Sequence, residues 1–336
     1  MKKHLFIVFI LGITLFSACE NEIPFNDKYQ KPQLLMNAIL EAEKEENEVQ
    51  LYIIDSENMT LVSNGSVTVY VNNEKKEVAE SKITLWSSNG DSMKVCRLQT
   101  VFHPGDRVRL EATAEDGQYN VWAEVEIPRP IEKIIRIDTL LTQIKVGYYM
   151  TECMRYRITF DDLPGEKNYY QLAIEEKSYT ADIKTGIRDT FPPFDRRQTD
   201  IINQEDIVLT DGHMTTADDE EFGILDMTVQ NVRNIFTDSR FENGSYTLNV
   251  YARFFDFNHQ YEAVRIQTDA IVHILSITKA DYRYMRAMNC LDSENYNDTF
   301  MEPVIVPQNV VGGLGFVGAS SEAEMKIQIL DRLPLW

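Results

Sequence analysis

Tyr119-Asn120-Val121-Trp122-Ala123-Glu124-Val125-Glu126-Ile127 alternates apolar and polar residues directly after the turn pair Asp116-Gly117. A period of two marks a strand with one buried face, because successive side chains leave the pleat on opposite sides. Trp122 lies inside this strand and is expected in the core. The same logic runs outward. Arg107-Val108-Arg109-Leu110-Glu111-Ala112 alternates after Pro104-Gly105-Asp106, and Val67-Thr68-Val69-Tyr70-Val71 is bracketed by Asn64-Gly65 and Asn72-Asn73. Leu34 to Leu40 and Val49 to Ile54 are apolar runs of strand length. Short strands at this spacing imply an immunoglobulin-like β-sandwich over residues 33–128.

Pro128-Arg129-Pro130 then stops the pattern, and a chain of 336 residues has room for about two domains. Residues 131–336 read as a larger β-rich domain. Its strands are signalled by residues 133–138, by Arg155 to Phe160 ahead of Asp161-Asp162-Leu163-Pro164-Gly165, by Tyr169 to Ile174, and by Tyr246 to Phe255 after Asn243-Gly244. Residues 185–226 are poor in apolar side chains and are expected to form long loops. One helix is signalled: Thr278 can cap it, Asp281 completes a capping-box variant, and Tyr282, Met285 and Met288 or Asn289 share a face. The fold class is therefore mainly β, with one short helix towards the C-terminus. Gly312-Gly313-Leu314-Gly315, in an apolar run, marks close backbone packing or a turn between strands.

The opening of the chain carries a different message. Lys2, Lys3 and His4 precede the apolar run Leu5 to Phe16, and Phe16-Ser17-Ala18-Cys19 closes it. That is the layout of an export signal, too short to span a membrane as a helix. Small residues directly before Cys19 resemble a bacterial lipobox, with Phe16 where Leu is usual. The resemblance implies removal of residues 1–18, a lipid such as palmitate on Cys19 and attachment to a membrane. Residues 19–32 then form the lipidated end and a polar, proline-bounded tether.

Composition and motifs exclude several functions. Asp and Glu number 53 against 33 Lys and Arg, for a formal net charge of −20, which disfavours nucleic-acid partners. Cys96, Cys153 and Cys290 follow Cys19; an odd set in an exported chain is no disulfide framework, and all three read as structural thiols. No HExxH, P-loop, GxSxG or strand-linked GxGxxG is present. The histidines are isolated in sequence, His273 reads as a half-buried strand residue, and no metal site or cofactor is expected. Asp161-Asp162 and Asp218-Asp219-Glu220-Glu221 offer hard oxygen ligands without calcium-loop spacing, so they read as solvated charge. Phe191-Pro192-Pro193-Phe194, two aromatics around two prolines in a polar stretch, is a candidate recognition patch.

The tail carries a family resemblance. Tyr282-Arg283-Tyr284 on the capped helix, Phe300-Met301-Glu302-Pro303-Val304, Asn309 and Gly312-Gly313-Leu314-Gly315-Phe316-Val317-Gly318-Ala319 together resemble a family of Bacteroidota outer-membrane lipoproteins known as a domain of unknown function. Gly312 departs from the Asn frequent there. Ile127-Pro128, Pro164-Gly165 with Asn168-Tyr169-Tyr170, and Ile235-Phe236-Thr237-Asp238 agree with it. The resemblance implies the two β domains above, no transferable catalytic residues, and genes often adjacent to TonB-dependent transporters. Glu20 and Glu22 resemble that phylum's surface-export signal. Asp91-Ser92-Met93 and Asp138-Thr139-Leu140 fit its O-glycosylation pattern at Ser92 and Thr139. The expectation is a non-enzymatic, surface-facing outer-membrane lipoprotein that partners a TonB-dependent nutrient transporter. A structural or adhesive envelope lipoprotein is the alternative, and a carboxylate-based hydrolase the third.

Overall fold

A computed structural model describes residues 31–332 except 56–57, 86–91, 147–148, 166, 182–184, 186, 191–196, 211–228, 254–264 and 294–302. The chain is mainly β, as its period-two patterning predicts. Eight strands form its first part: β1 (Gln33–Glu41), β2 (Asn47–Asp55), β3 (Asn58–Leu61), β4 (Gly65–Val71), β5 (Glu74–Leu85), β6 (Ser92–Leu98), β7 (Arg107–Ala114) and β8 (Tyr119–Glu126). β5 pairs with β4 over its first half and with β6 over its second, and so carries the chain from one layer to the other. Leu34, Met36, Val49 and Leu51 from one layer meet Val67, Val69, Leu110 and Val121 from the other in a single core. The arrangement is consistent with an immunoglobulin-like sandwich. Asn72 and Asn73 adopt positive φ between β4 and β5, the conformation a two-residue hairpin turn requires.

Trp122 departs from the expectation. On β8 its neighbours Val121 and Ala123 point inward, so strand alternation sends Trp122 out with Asn120 and Glu124. There the Arg109 guanidinium sits 4.2 Å from the ring centroid. Parity along the strand outweighs the size of the side chain.

The second part holds β9 (Ile134–Val146), β10 (Tyr149–Asp161), β11 (Tyr169–Ala181), β12 (Arg188–Thr190), β13 (Arg197–Gln198), β14 (Ile201–Ile202), β15 (Ile235–Thr237), β16 (Ser245–Arg253), β17 (Arg265–Ile277), helix α1 (Lys279–Asp292) and β18 (Val317–Arg332). A four-stranded sheet runs β14-β16-β10-β9. Its buried face, with Tyr156, Ile158, Phe160, Leu248 and Val250, packs on Leu172, Ile174, Val272 and Ile274 of β11 and β17. Short strands β12, β13 and β14 add edges within the stretch expected to be loop. Helix α1 forms with the capping box read from the sequence: the Asp281 N–H donates to Thr278 Oγ1 at 3.1 Å, and the Thr278 N–H to Asp281 Oδ2 at 3.2 Å.

β18 joins the two parts. Its first residues pair in parallel with β1, and the remainder pairs antiparallel with β17. Val317 and Ala319 thus lie in the first core, while Ala323, Met325, Ile327 and Ile329 line the second. The segment before β18 runs along β1 through hydrogen bonds from the Leu314 N–H to the Leu34 carbonyl (2.9 Å), from the Met36 N–H to the Leu314 carbonyl (3.0 Å) and from the Ala38 N–H to the Phe316 carbonyl (3.0 Å). The side-chain amide of Asn309 pairs with both backbone groups of Val317, donating at 2.7 Å and accepting at 2.8 Å. A Cβ at Gly313 would strike the Leu34 carbonyl, and one at Gly318 would strike the Asp281 carboxylate. The paired glycines therefore serve close backbone packing.

Gly318→Ala should cost about 3 kcal/mol in urea unfolding, because the Asp281 carboxylate it strikes is buried and held by the Thr278 and Ala319 N–H groups. Gly117→Ala, in an open turn at φ +84°, should cost only about 1 kcal/mol. Similar losses at the two sites would remove the tail contact from the account of stability. Cys96 and Cys153 are buried, Cys290 half-buried, and burial pushes the Cys96 thiol up to about 12. In the native protein a thiol reagent at mildly alkaline pH should modify Cys290 well before Cys96, and denaturant should equalise them.

Candidate functional site

The outer face of β11, β17 and β18 carries a network of charged side chains. Register sets it: Glu175, Ile271 and Lys326 form one row across the three strands, and Ala173, His273 and Glu324 the next. Glu322 follows on the same face two residues before Glu324. Asp269, whose side chain is 4% exposed, receives Arg188 Nη1 and Lys326 Nζ, each at 2.9 Å. The hydrogen bond from Lys326 raises that lysine's pKa and keeps its charge. Arg188 also donates to Gln267 Oε1 at 2.6 Å and lies over the Tyr179 ring.

Further along the face, His273 Nδ1 lies 3.0 Å from Glu322 Oε2 and 3.9 Å from Glu324 Oε2. The hydrogen bond to Glu322 raises the imidazole pKa, with Glu175 and Glu324 adding to the effect and burial opposing it. Nε2 of the same ring is buried without a hydrogen-bond partner. His273, Glu322 and Glu324 are the described residues that could hold a metal ion, their ligand atoms all lying within 4.8 Å of one another. Sequence reading missed this trio because its members lie about 50 residues apart, and only the register of β17 on β18 brings them together.

A second feature is the β9–β10 arm. β9 pairs with β10 alone, leaving its other edge open among the described strands. Leu141 and Met150 lie on the same side as buried Met154 and Tyr156, yet they are 46% and 64% exposed. Leu140 and Tyr149 are exposed on the opposite side. The end of the ladder therefore extends past the second core with apolar side chains on both faces.

The sequence-derived sites fare unevenly. Cys19, Glu20, Glu22, Phe191, Pro192, Pro193, Phe194 and the run Asp218 to Glu221 lie outside the described residues. Ser92 begins β6, and Thr139 is exposed on β9. Asp162 is neither a solvated charge nor an open ligand. It is buried and accepts from the Tyr170 hydroxyl at 2.6 Å, the Asn243 N–H at 2.8 Å and the Asn168 amide at 3.3 Å, which fixes the corner between β10 and β11. Burial and this contact push the Tyr170 hydroxyl pKa well up.

Fold and face together define a mainly β protein with one helix, whose two hydrophobic cores share strand β18. The chain belongs to the family described as Domain of unknown function (DUF4249), matched over residues 20–326. No curated protein matches it. Among solved structures it is similar to the crystal structure of a DUF4785 family protein from Legionella pneumophila subsp. pneumophila str. Philadelphia 1, at 9% identity and a TM-score of 0.21, over 72% of this chain. The match spans 52% of that protein, so the chain covers about half its length.

Asp269→Ala should cost about 2 kcal/mol, because it removes a nearly buried anion and leaves Arg188 and Lys326 facing each other without it. Lys326→Met should cost less than about 1 kcal/mol, since that side chain is largely solvated and Arg188 still pairs with Asp269. Urea midpoints of the two variants measure the contrast, and equal losses would contradict it.

Proposed function

We propose that this chain is a non-enzymatic, surface-facing outer-membrane lipoprotein of the Bacteroidota type whose body binds a TonB-dependent nutrient transporter or the ligand that transporter imports. The observation that carries this reading is the β9–β10 arm. Leu140, Leu141, Tyr149 and Met150 stand exposed beside an open strand edge, and apolar surface at an unpaired edge suits docking against another protein by strand addition or side-chain burial. The N-terminal sequence supports the location: Cys19 after small residues, a tether to residue 32, and Glu20 and Glu22 at the surface-export position. The Asn309 and Gly-Leu-Gly-Phe tail supports the kinship with envelope lipoproteins. The buried carboxylates Asp162 and Asp206 are engaged in hydrogen bonds that hold loops, which favours a scaffold over a hydrolase.

Tagged full-length protein solubilised from its own outer membrane should co-isolate with a TonB-dependent transporter. A Leu140→Ser, Tyr149→Ser double variant should lose at least about tenfold of that recovery while keeping its urea midpoint, because both side chains are exposed. Protease added to intact cells should reach the protein, and Cys19→Ser should release it from the membrane fraction and abolish palmitate labelling. Absence of both co-isolation and protease access would sink the proposal. Lost cell adhesion with intact nutrient uptake in a deletion strain would favour an adhesive role instead.

A further inference from the structure

We propose that His273, Glu322 and Glu324 form a binding site for a divalent transition-metal ion of the zinc class on the outer face of β17 and β18. The three side chains share one face by strand geometry. His273 stands opposite Glu324 in the antiparallel ladder, and Glu322 is the next outward residue along β18. Their ligand atoms lie within 4.8 Å of one another, with Nδ1 3.0 Å and 3.9 Å from the two carboxylates. A metal bound at about 2.0–2.2 Å to each places neighbouring ligand atoms roughly 3.3 Å apart, so modest side-chain rotations complete the site.

The imidazole itself points to a ligand. A structural histidine ordinarily spends both ring nitrogens on hydrogen bonds. The His273 side chain is only 7% exposed, its Nε2 has no partner, and its Nδ1 is aimed at two carboxylates. In the metal-free protein Nδ1–H donates to Glu322; a bound ion takes the place of that proton, which passes to the unpartnered Nε2 or to solvent, and the Nδ1 lone pair then faces the ion between the two carboxylates. The donor set is one imidazole nitrogen and two carboxylates, which suits zinc and its neighbours better than calcium, whose ligands are all oxygen. The glutamates are partly exposed, which gives an ion a path in and leaves a coordination position for water or a partner's donor group.

The test uses the full-length protein, stripped with a chelator and dialysed against limiting zinc chloride, with bound metal measured by atomic absorption and affinity by titration calorimetry. About one equivalent is expected, with affinity falling at least about tenfold in Glu324→Gln and Glu322→Gln and binding lost in His273→Gln. Cobalt should give a visible d–d absorption that the same variants remove. Glu324 is exposed, so Glu324→Gln keeps its fold and the experiment stays decisive even if His273→Gln unfolds. Failure to retain zinc, or zinc retained with unchanged affinity by Glu324→Gln and Glu322→Gln, overturns the site.

Discussion

The structure depends on one strand serving two cores. Residues of β18 alternate in one register from Val317 to Gln328, ahead of a bulge opposite Thr268 and Asp269, so Val317 and Ala319 enter the first sandwich while Ala323, Met325 and Ile327 enter the second. Burying such side chains contributes about 1–3 kcal/mol each, and here that gain is available only when both sandwiches are formed and aligned on the same strand. The parallel pairing with β1 brings the C-terminal segment back across nearly the whole chain to the first strand of the fold. Parallel neighbours need a crossover rather than a hairpin, and in this molecule the connection runs through β2 to β8, the whole of the second part and helix α1.

This closure explains why small residues gather in the tail. Gly313 and Gly315 run against the carbonyls of Leu34 and Met36, and Gly318 against the Asp281 carboxylate. Asp281 caps α1 and also accepts the Ala319 N–H at 3.1 Å, so one buried carboxylate fixes the start of the helix to the start of β18. Burial raises its pKa, opposed by the hydrogen bonds it receives. Tyr284, one turn further along α1, stacks on Phe316 with ring centroids 4.4 Å apart. The motif that carries the family resemblance is thus, in physical terms, the clasp between helix, tail and first strand.

Much of this was legible in the sequence, and the illegible part has a common cause. Period-two patterning, Asn-Asn and Asp-Gly turns and the Thr278 capping box are local signals, and the strands and helix follow them. Trp122 is the exception: the size of its side chain suggests burial, while the parity of its own strand points outward. Asp162 looked like half of a solvated acidic pair, yet its function depends on Tyr170, Asn168 and Asn243, the last 81 residues away. The polar face escaped notice for the same reason: Arg188 meets Asp269, and His273 meets Glu322, only through strand pairings that no local window contains.

Register links the clasp to that face. The even-numbered residues of β18 that carry Glu322, Glu324 and Lys326 outward alternate with the odd-numbered residues that fill the second core. A slip of one residue along β17 would bury three charges and expose Ala323, Met325 and Ile327, so the apolar pattern enforces the position of the polar one. The Asn309 amide and the glycine contacts hold the entry to β18 against β1, and they thereby also hold the outward carboxylates opposite His273. A chemical site built on this face inherits its geometry from packing rather than from a loop. Its side chains are placed by interior strands of the large sheet, whereas the apolar β9–β10 arm lies at the edge of the other sheet. The fold thereby separates a surface suited to fixed, short-range coordination from one suited to docking, and neither has to move for the other to be used.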